Sequence, residues 1–166
     1  MTDEPYHPAD DEQGKTRPDS LRLRGFDYSS CCIYFITIVV EHRRNLFNDP
    51  RLAQAILHVL LEQRERLRFN LYCYCLMPDH FHGLIGCGAS GLTLGRICGA
   101  FKSVSTRQYW QWHQGRLWQR RFHDHIIRGE EEFYETRAYI MINPVRKGLV
   151  TTPEEWPYSG CPDNLS

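Results

Sequence analysis

Three short apolar runs in the first half of the chain predict β-strands. Residues 32–40 are rich in β-branched and aromatic side chains, which favours a buried strand. Residues 71–76 and 81–86 form two further runs, separated by a segment, 77–80, in which a proline and an aspartate favour a turn. We therefore expect the second and third strands to be neighbours in one sheet.

Helical periodicity follows the first strand. After Pro50, which stands where the first turn of a helix tolerates proline, apolar residues recur at roughly helical spacing as far as Leu67. Charged side chains occupy the other side of the same stretch. The pattern predicts an amphipathic helix.

The second half of the chain continues this alternation. A helix is predicted over residues 92–112, and residues 117–128 are expected to be extended for part of their length. Residues 130–142 begin with acidic side chains, which suit a helix N-terminus, and Pro144 is expected to end that helix. The element order β-α-β-β-α-β-α predicts an α+β fold in which helices cover an antiparallel sheet.

The beginning of the 166-residue chain differs in composition from the remainder. Residues 1–20 lack apolar periodicity and cannot bury enough surface to offset the entropy of ordering. We therefore expect a flexible acidic tail followed by a single domain over residues 21–166. No signal peptide is expected from such a polar beginning, and the longest apolar run, 33–40, is too short to span a bilayer. A soluble, cytoplasmic protein without membrane association is the expectation.

Formal neutrality of the whole chain conceals a basic body. The first 19 residues carry six of the 20 acidic side chains and two of the 20 basic ones, which leaves the remainder with a net charge of +4. Residues 96–128 hold seven basic groups and one acid, interleaved with aromatic side chains. This mixture suits a surface that contacts phosphates and stacks on bases, although an ordinary solvated face has the same composition. The seven cysteines include no CxxC pair, which favours a reducing compartment over a disulfide framework.

The segment His80-Phe81-His82 is the first candidate for chemistry. Alternate residues of a strand face the same side, so the two imidazoles would project together while Phe81 turns to the opposite face. Two imidazoles presented in this way form half of a site for a divalent metal. An HxH pair also occurs in purely structural settings, so a second observation is needed.

That second observation lies on the last predicted helix, where Tyr139 and Asn143 share one face a turn apart. A tyrosine hydroxyl can attack phosphorus, and an amide oxygen can complete a metal site built from two histidines. Each residue also has an ordinary structural interpretation, as a core aromatic for Tyr139 and as a helix-ending asparagine before proline for Asn143. A nucleophile and three ligands are therefore available, and spacing alone leaves both interpretations open.

Four ordered blocks of sequence carry a family resemblance. They span residues 75–82, 117–128, 139–150 and 155–159. In this order they resemble the segments of the single-tyrosine HUH transposases, a superfamily that includes insertion-sequence transposases. Within it the chain looks closest to the REP-associated tyrosine transposases, and the resemblance covers residues 21–159.

The resemblance implies a ferredoxin-like antiparallel sheet with helices packed on one side, plus a C-terminal helix that carries the tyrosine. It implies that His80 and His82 bind Mg²⁺ or Mn²⁺ and that Tyr139 is the catalytic residue. Asn143 falls where the family places a further polar ligand. Other single-tyrosine transposases commonly have glutamine there, so the shorter asparagine is a departure.

The activity that the resemblance implies is metal-dependent cleavage and strand transfer of single-stranded DNA at hairpins, through a 5′-phosphotyrosine and a free 3′-hydroxyl, without ATP. Attack by tyrosine requires a proton acceptor, which the sequence does not identify; His125 is a candidate. The expected partner is single-stranded or hairpin DNA, bound by a monomer or a homodimer. Seven basic residues are expected to contact this DNA, namely Arg22, Arg24, Lys102, Arg120, Arg121, Arg146 and Lys147.

Three rival interpretations are weighed against this one. Cys73 and Cys75 could join the two histidines in a zinc site, but we expect strand geometry to oppose it, because the cysteines would have to fold across the turn. A nucleotide hydrolase of the histidine-triad type would need a third alternating histidine where Leu84 stands. The alternative from a different class is a DNA-binding protein that derives from a transposase and no longer cuts.

Overall fold

Five strands form one antiparallel sheet in the order β4-β1-β3-β2-β5. They are β1 (Ile33–Val39), β2 (Asn70–Met77), β3 (His80–Gly86), β4 (His123–Ile126) and β5 (Ser159–Gly160). The computed structural model describes residues 32–165, so the predicted tail lies outside the described residues. The α+β prediction is confirmed, and β5 is a short edge strand that the hydrophobic pattern did not indicate.

Three helices connect and cover these strands: α1 (Pro50–Leu67), α2 (Leu94–Tyr109) and α3 (Glu130–Arg146). Helix α1 begins where predicted, because the Asp49 side chain accepts a hydrogen bond from the Arg51 backbone at 2.9 Å and Pro50 occupies the first turn. Within residues 32–165 no helix is long and apolar enough to cross a bilayer.

The end of α3 differs from the prediction. Pro144 lies inside the helix, which continues to Arg146 rather than ending at residue 142. The φ angle of proline is compatible with a helix, and this proline removes a single main-chain hydrogen bond close to the C-terminus. The last turn is closed instead by the Lys147 amide, which donates to the Asn143 carbonyl at 3.0 Å.

The helices lie on both faces of the sheet. Helices α1 and α2 share a core with one face, to which β1 contributes Ile36 and β3 contributes Phe81. Helix α3 packs on the opposite face, where Phe133 and Ile140 meet Leu84 of β3. The expectation that the helices cover one side therefore holds for α1 and α2, whereas α3, which carries the tyrosine, covers the other side.

Candidate active site

The β2–β3 hairpin determines where the two histidines point. His80 is opposite Val39 and His82 is opposite Thr37 of β1, and alternation along β3 directs both imidazoles to the face that α3 covers. Their ring centroids are 4.5 Å apart. Phe81, between them, points to the other face and packs against Phe101 of α2, with ring centroids 5.3 Å apart.

Both imidazoles are oriented through their Nδ1 atoms. His80 Nδ1 donates to the Asp79 carboxylate at 2.6 Å, and His82 Nδ1 is hydrogen-bonded to the Thr37 hydroxyl at 2.9 Å. The two Nε2 atoms are turned toward each other and lie 3.0 Å apart. Histidine ligands typically use one ring nitrogen for the metal and the other for such an orienting hydrogen bond. Thr37 and Asp79 therefore fix the orientation of the two rings, with both Nε2 atoms directed into one space.

Burial and neighbouring charge set the protonation of this cluster. Burial, and then the charge of neighbouring His80, holds the pKa of His82 well below its ordinary value, which favours the neutral imidazole that binds metal ions. Burial raises the pKa of the Asp79 carboxyl, but its hydrogen bond with His80 and the positive charge of Arg43 outweigh burial and keep that pKa below the ordinary value. Asp79 thus stays ionised as the partner of His80.

The histidine pair has a spacing that suits one shared cation. Two metal–nitrogen bonds of about 2.1 Å that meet near 90° end about 3.0 Å apart. The observed separation of the Nε2 atoms is 3.0 Å, so the pair fits two adjacent ligand positions. No group of three histidine, cysteine or carboxylate side chains within residues 32–165 could hold a metal ion. A third ligand to such a cation would therefore be of another kind, such as an amide, a water or a phosphate oxygen.

Asn143 is the amide that the sequence suggested for this position. Its side chain is 4% exposed, and its Nδ2 atom has no hydrogen-bond partner among the described residues. A buried amide with an unsatisfied end is costly unless a ligand satisfies it. Because amide oxygen and nitrogen have nearly the same shape, rotation of the terminal group would present the oxygen instead. The donor chemistry of Asn143 therefore fits a metal site, while its role as a ligand stays a prediction.

Helix α3 brings Tyr139 against the histidines. Its ring is 6.0 Å from that of His82 and 6.0 Å from that of Phe35, which packs edge-on against it. On another side, the Arg146 guanidinium lies over the Tyr139 ring, 5.3 Å from its centroid. The tyrosine is thus held between the sheet and a cation, beside the metal-binding candidates.

A groove of about 800 Å³ opens along α3 beside Tyr139. Its wall combines the tyrosine and Arg146 with apolar side chains and two carboxylates. The lining residues are Glu132, Glu135, Thr136, Ala138, Tyr139, Met141, Ile142, Arg146 and Pro153. The tyrosine is therefore next to a space that is large enough for a substrate group.

The expectation that strand geometry keeps the cysteines away from the histidines is wrong for Cys75. The hairpin register places Cys75 directly opposite His82, so the cysteine does not need to fold across the turn. The Cys75 thiol instead contacts the Met77 sulfur at 3.6 Å in the buried core, and burial raises the pKa of this thiol to about 12. A thiol that resists ionisation in this way is a poor zinc ligand. Leu84 is fully buried beneath α3, which agrees with the absence of a histidine-triad arrangement.

His125, the candidate proton acceptor, is engaged by the start of α3. Its Nε2 atom is hydrogen-bonded to the Glu132 carboxylate at 2.6 Å, and the same carboxylate accepts the Arg128 backbone amide. Burial raises the pKa of Glu132, but these two hydrogen bonds outweigh burial and lower it overall. His125 therefore ties β4 to the N-terminus of α3, and its role as a base stays a prediction.

The candidate DNA contacts have different surroundings. The Lys102 ammonium donates to the Gln119 and Arg120 carbonyls at 2.7 and 2.8 Å, and burial lowers its pKa. The side chains of four others are exposed, namely Arg120, Arg121, Arg146 and Lys147. Arg22 and Arg24 lie outside the described residues. Lys102 thus supports the backbone that presents Arg120.

Aromatic side chains are exposed near the C-terminal end of α2. Trp110 is 56% exposed, although its indole nitrogen donates to the Gly115 carbonyl at 2.7 Å. The Arg51 guanidinium lies 5.1 Å from the ring centroid of Trp112. Exposed indoles that are held in place beside cations suit base stacking.

Sequence reasoning missed three residues around the histidines. Thr37 and Asp79 orient the imidazoles, and Phe35 packs between His82 and Tyr139. Asp79 appeared in the sequence only as a turn former. Phe35 and Thr37 alternate along the first predicted strand, so a sheet register would have been needed to assign them to the site.

Comparisons with known proteins find a matching family and similar relatives. A family model described as "Transposase IS200 like" matches residues 28–143. The REP-associated tyrosine transposase of Escherichia coli K12 is 25% identical over 130 residues, covering 76% of this chain and 74% of the relative. A Haemophilus influenzae protein, provisionally named a REP-associated tyrosine transposase, is 28% identical over 149 residues, covering 80% of this chain and 81% of that protein.

A solved structure shares the fold. It is described as a REP-associated tyrosine transposase bound to a REP hairpin, and it matches with a TM-score of 0.70 and 22% identity, covering 89% of this chain and 82% of that one. The shared fold and the family match agree. The chain belongs to the IS200-like transposase family.

Proposed function

We propose that the chain is a metal-dependent endonuclease and strand transferase that cuts single-stranded DNA at hairpins through a phosphotyrosine at Tyr139. One observation carries the proposal: Tyr139 packs 6.0 Å from the ring of His82, whose Nε2 atom is 3.0 Å from that of His80. The proposed nucleophile and the two proposed metal ligands thus share one face of the sheet. Membership of a transposase family supports DNA transposition as the setting.

His80 and His82 would hold a divalent cation, Mg²⁺ or Mn²⁺, with Asn143 as the proposed third ligand. When bound, the cation supplies positive charge for the non-bridging oxygens of the scissile phosphate. Thr37 and Asp79 hold the two imidazoles with their Nε2 atoms close together before a cation binds. The protein thereby avoids reorganising its ligands during the reaction.

Tyr139 makes the covalent link in this proposal. Its hydroxyl oxygen bonds to phosphorus, the bond from phosphorus to the 3′ oxygen breaks, and that oxygen gains a proton as the tyrosine loses one. The products are a 5′-phosphotyrosine and a free 3′-hydroxyl. One phosphate ester replaces another, so no ATP is needed and a second 3′-hydroxyl can reverse the step.

Basic and aromatic surfaces would hold the DNA. Arg146, stacked on Tyr139, lies where it can contact the phosphate that the tyrosine attacks. Arg120 and Trp110 are both exposed, so they could supply a phosphate contact and a stacking surface. The solved structure with the same fold is described as bound to a REP hairpin, which supports hairpin DNA as the ligand here.

The test is formation of a covalent protein–DNA adduct with a hairpin-bearing single-stranded oligonucleotide in Mn²⁺ or Mg²⁺. Tyr139→Phe should bind the hairpin and form no adduct. Tyr134→Phe is the matched control, because this tyrosine is on the same helix and 49% exposed, and it should form adduct normally. Hairpin binding without adduct in the wild-type protein would favour the non-cleaving DNA-binding alternative. Cleavage that survives His82→Ala or excess chelator would overturn the metal role.

A further inference from the structure

Two pairs of cysteines face each other across the sheet. Tyr74 is opposite Gly160 in the β2–β5 ladder, and the same register places Cys73 opposite Cys161. Ile33 is opposite Gly86 in the β1–β3 ladder, which places Cys32 opposite Cys87 in the same way. We name these the Cys73–Cys161 pair and the Cys32–Cys87 pair. All four thiols are free.

Strand geometry suits a covalent bond between Cys73 and Cys161. The Leu76 amide donates to the Tyr158 carbonyl at 2.8 Å, so counting back along the ladder puts the cysteine pair at a non-hydrogen-bonded position. At such positions the Cα atoms are about 4.5 Å apart, which is within the range of about 4.4–6.8 Å found for disulfides. Each thiol shifts the pKa of the other, which agrees with this proximity.

The environment distinguishes the two sulfurs of this pair. Cys73 is fully buried, whereas Cys161 is partly exposed near the chain end. The hydrogen bond from Cys73, followed by that from Arg137, lowers the pKa of Cys161, while the same thiol–thiol contact and burial raise the pKa of Cys73. Cys161 is thus the accessible thiol of the pair and the one whose pKa is lowered, while Cys73 lies buried beneath it.

We propose that Cys161 and Cys73 form a peroxide-reactive dithiol, in which Cys161 is oxidised first and Cys73 completes a disulfide. The Cys161 thiolate attacks one oxygen of hydrogen peroxide, giving a sulfenic acid and, with a proton, water. The Cys73 sulfur then attacks the sulfenic sulfur and loses its proton, and the hydroxyl of the sulfenic acid leaves as a second water. Two thiols lose two electrons and two protons, and one peroxide is reduced to two waters.

The disulfide would form directly under the helix that carries Tyr139. The Cys73 thiol is 4.0 Å from the Arg137 carbonyl, and the Cys161 sulfur is 3.8 Å from that of Met141. Both contacts are on α3, and Tyr139 lies between these two residues in sequence. Oxidation would therefore link the C-terminal segment covalently to β2 beneath α3. In the reduced protein this segment pairs with β2 through the two-residue strand β5.

The Cys32–Cys87 pair is an internal comparison. It has the same cross-strand placement and, like the other pair, one buried member whose pKa is raised, here Cys87. Its core is shared with α1 and α2 rather than with α3, which carries the Arg137 side chain that lowers the pKa of Cys161. Peroxide should therefore oxidise the Cys73–Cys161 pair first.

The experiment treats the full-length reduced protein with hydrogen peroxide at pH 7, blocks remaining thiols and maps tryptic peptides by mass spectrometry. We expect a loss of about 2 Da and a linkage of residues 148–166 to residues 69–96, assigned to Cys73 by fragmentation. Cys161→Ser should abolish this linkage, and the matched Cys32→Ser should keep it. Oxidation should also raise the melting temperature of the wild type by about 5–10 °C, because the disulfide closes a long loop. The melting temperature of Cys161→Ser should not change.

Three results would overturn the proposal. One is a first linkage of Cys32 to Cys87. Another is oxidation of Cys161 to sulfinic acid without any linkage, and the third is a linkage to Cys75. None of these outcomes depends on DNA cleavage, so the proposal can fail while the proposed function stands.

Discussion

Replacing Asp79 by asparagine should weaken metal binding without removing a metal ligand. The Asp79 carboxylate accepts the His80 Nδ1 hydrogen at 2.6 Å, and its second oxygen is 3.5 Å from the Arg43 guanidinium. Asparagine keeps the shape of the side chain and suits the same turn, but it removes the negative charge. The Nε2 atom of His80 would then be less basic, and the imidazole ring would be held less firmly in its orientation.

The expected loss of metal affinity follows from the number of hydrogen bonds that orient the two histidines. Loss of one such contact typically lowers metal affinity by about 10- to 100-fold, or about 1.4–2.7 kcal/mol. Only one of the two histidines loses its partner, because His82 keeps its hydrogen bond to Thr37. We therefore expect the lower half of this range. At saturating Mn²⁺ the cleavage rate should approach that of the wild type, because Tyr139 is untouched.

The assay is calorimetric titration of the DNA-free protein with Mn²⁺, followed by adduct formation across a range of Mn²⁺ concentrations. Asp49→Asn is the matched control, because it removes the same charge from the start of α1 and asparagine still caps a helix. It should leave metal affinity unchanged. An Asp79→Asn protein with wild-type Mn²⁺ affinity would refute the role of Asp79, and an equal loss in both variants would indicate a general charge effect.

Three further predictions concern stability and DNA. Asp163→Asn should lower the free energy of unfolding at pH 7 by about 1–2 kcal/mol, as measured by urea unfolding. The hydrogen bond with Arg64 lowers the pKa of Asp163, so this contribution is present above about pH 4 and disappears as the pH falls through the lowered pKa. Trp110→Ala should weaken binding of single-stranded oligonucleotides on the order of tenfold by fluorescence anisotropy. Arg120→Ala should reduce the slope of log affinity against log salt by about 0.7–0.9, whereas Lys102→Ala should lower affinity with little change in slope.

A different result would contradict each of these three predictions. An Asp163→Asn penalty that is the same at pH 7 and at pH 2 would exclude the charge of this carboxylate as its source. Undiminished binding by Trp110→Ala would remove the stacking role of that indole. A salt slope that falls for Lys102→Ala would mean that its ammonium leaves the Gln119 and Arg120 carbonyls to contact phosphate.

Most of the fold followed from periodicity and turn chemistry. The limits of α1 were predicted because Pro50 and the apolar spacing agree. Strand β5 was not predicted because two residues at a sheet edge are too few to show an alternation of apolar and polar side chains. The predicted end of α3 was wrong because proline is tolerated near a helix terminus, where it removes only one main-chain hydrogen bond at little cost in free energy. The placement of α3 on its own sheet face depends on long-range packing, which no local pattern contains.

The candidate site was only partly visible in the sequence. Alternation placed His80 and His82 on one face, and helical spacing placed Tyr139 one turn from Asn143. The resemblance joined these two local patterns, and the structure brings Tyr139 next to His82. The orienting role of Thr37 could not be inferred, because it depends on the register between β1 and β3. The same missing register led to the wrong argument about Cys75.

The most direct test of the central proposal is to locate the DNA on the protein after cleavage. Trypsin separates Tyr139, in residues 138–146, from Tyr134, in residues 129–137. After reaction with a hairpin oligonucleotide in Mn²⁺ and digestion of the DNA with nuclease, mass spectrometry should find the residual nucleotide attached to Tyr139 in residues 138–146. An adduct found on residues 129–137, or cleavage with both peptides unmodified, would contradict a phosphotyrosine at Tyr139.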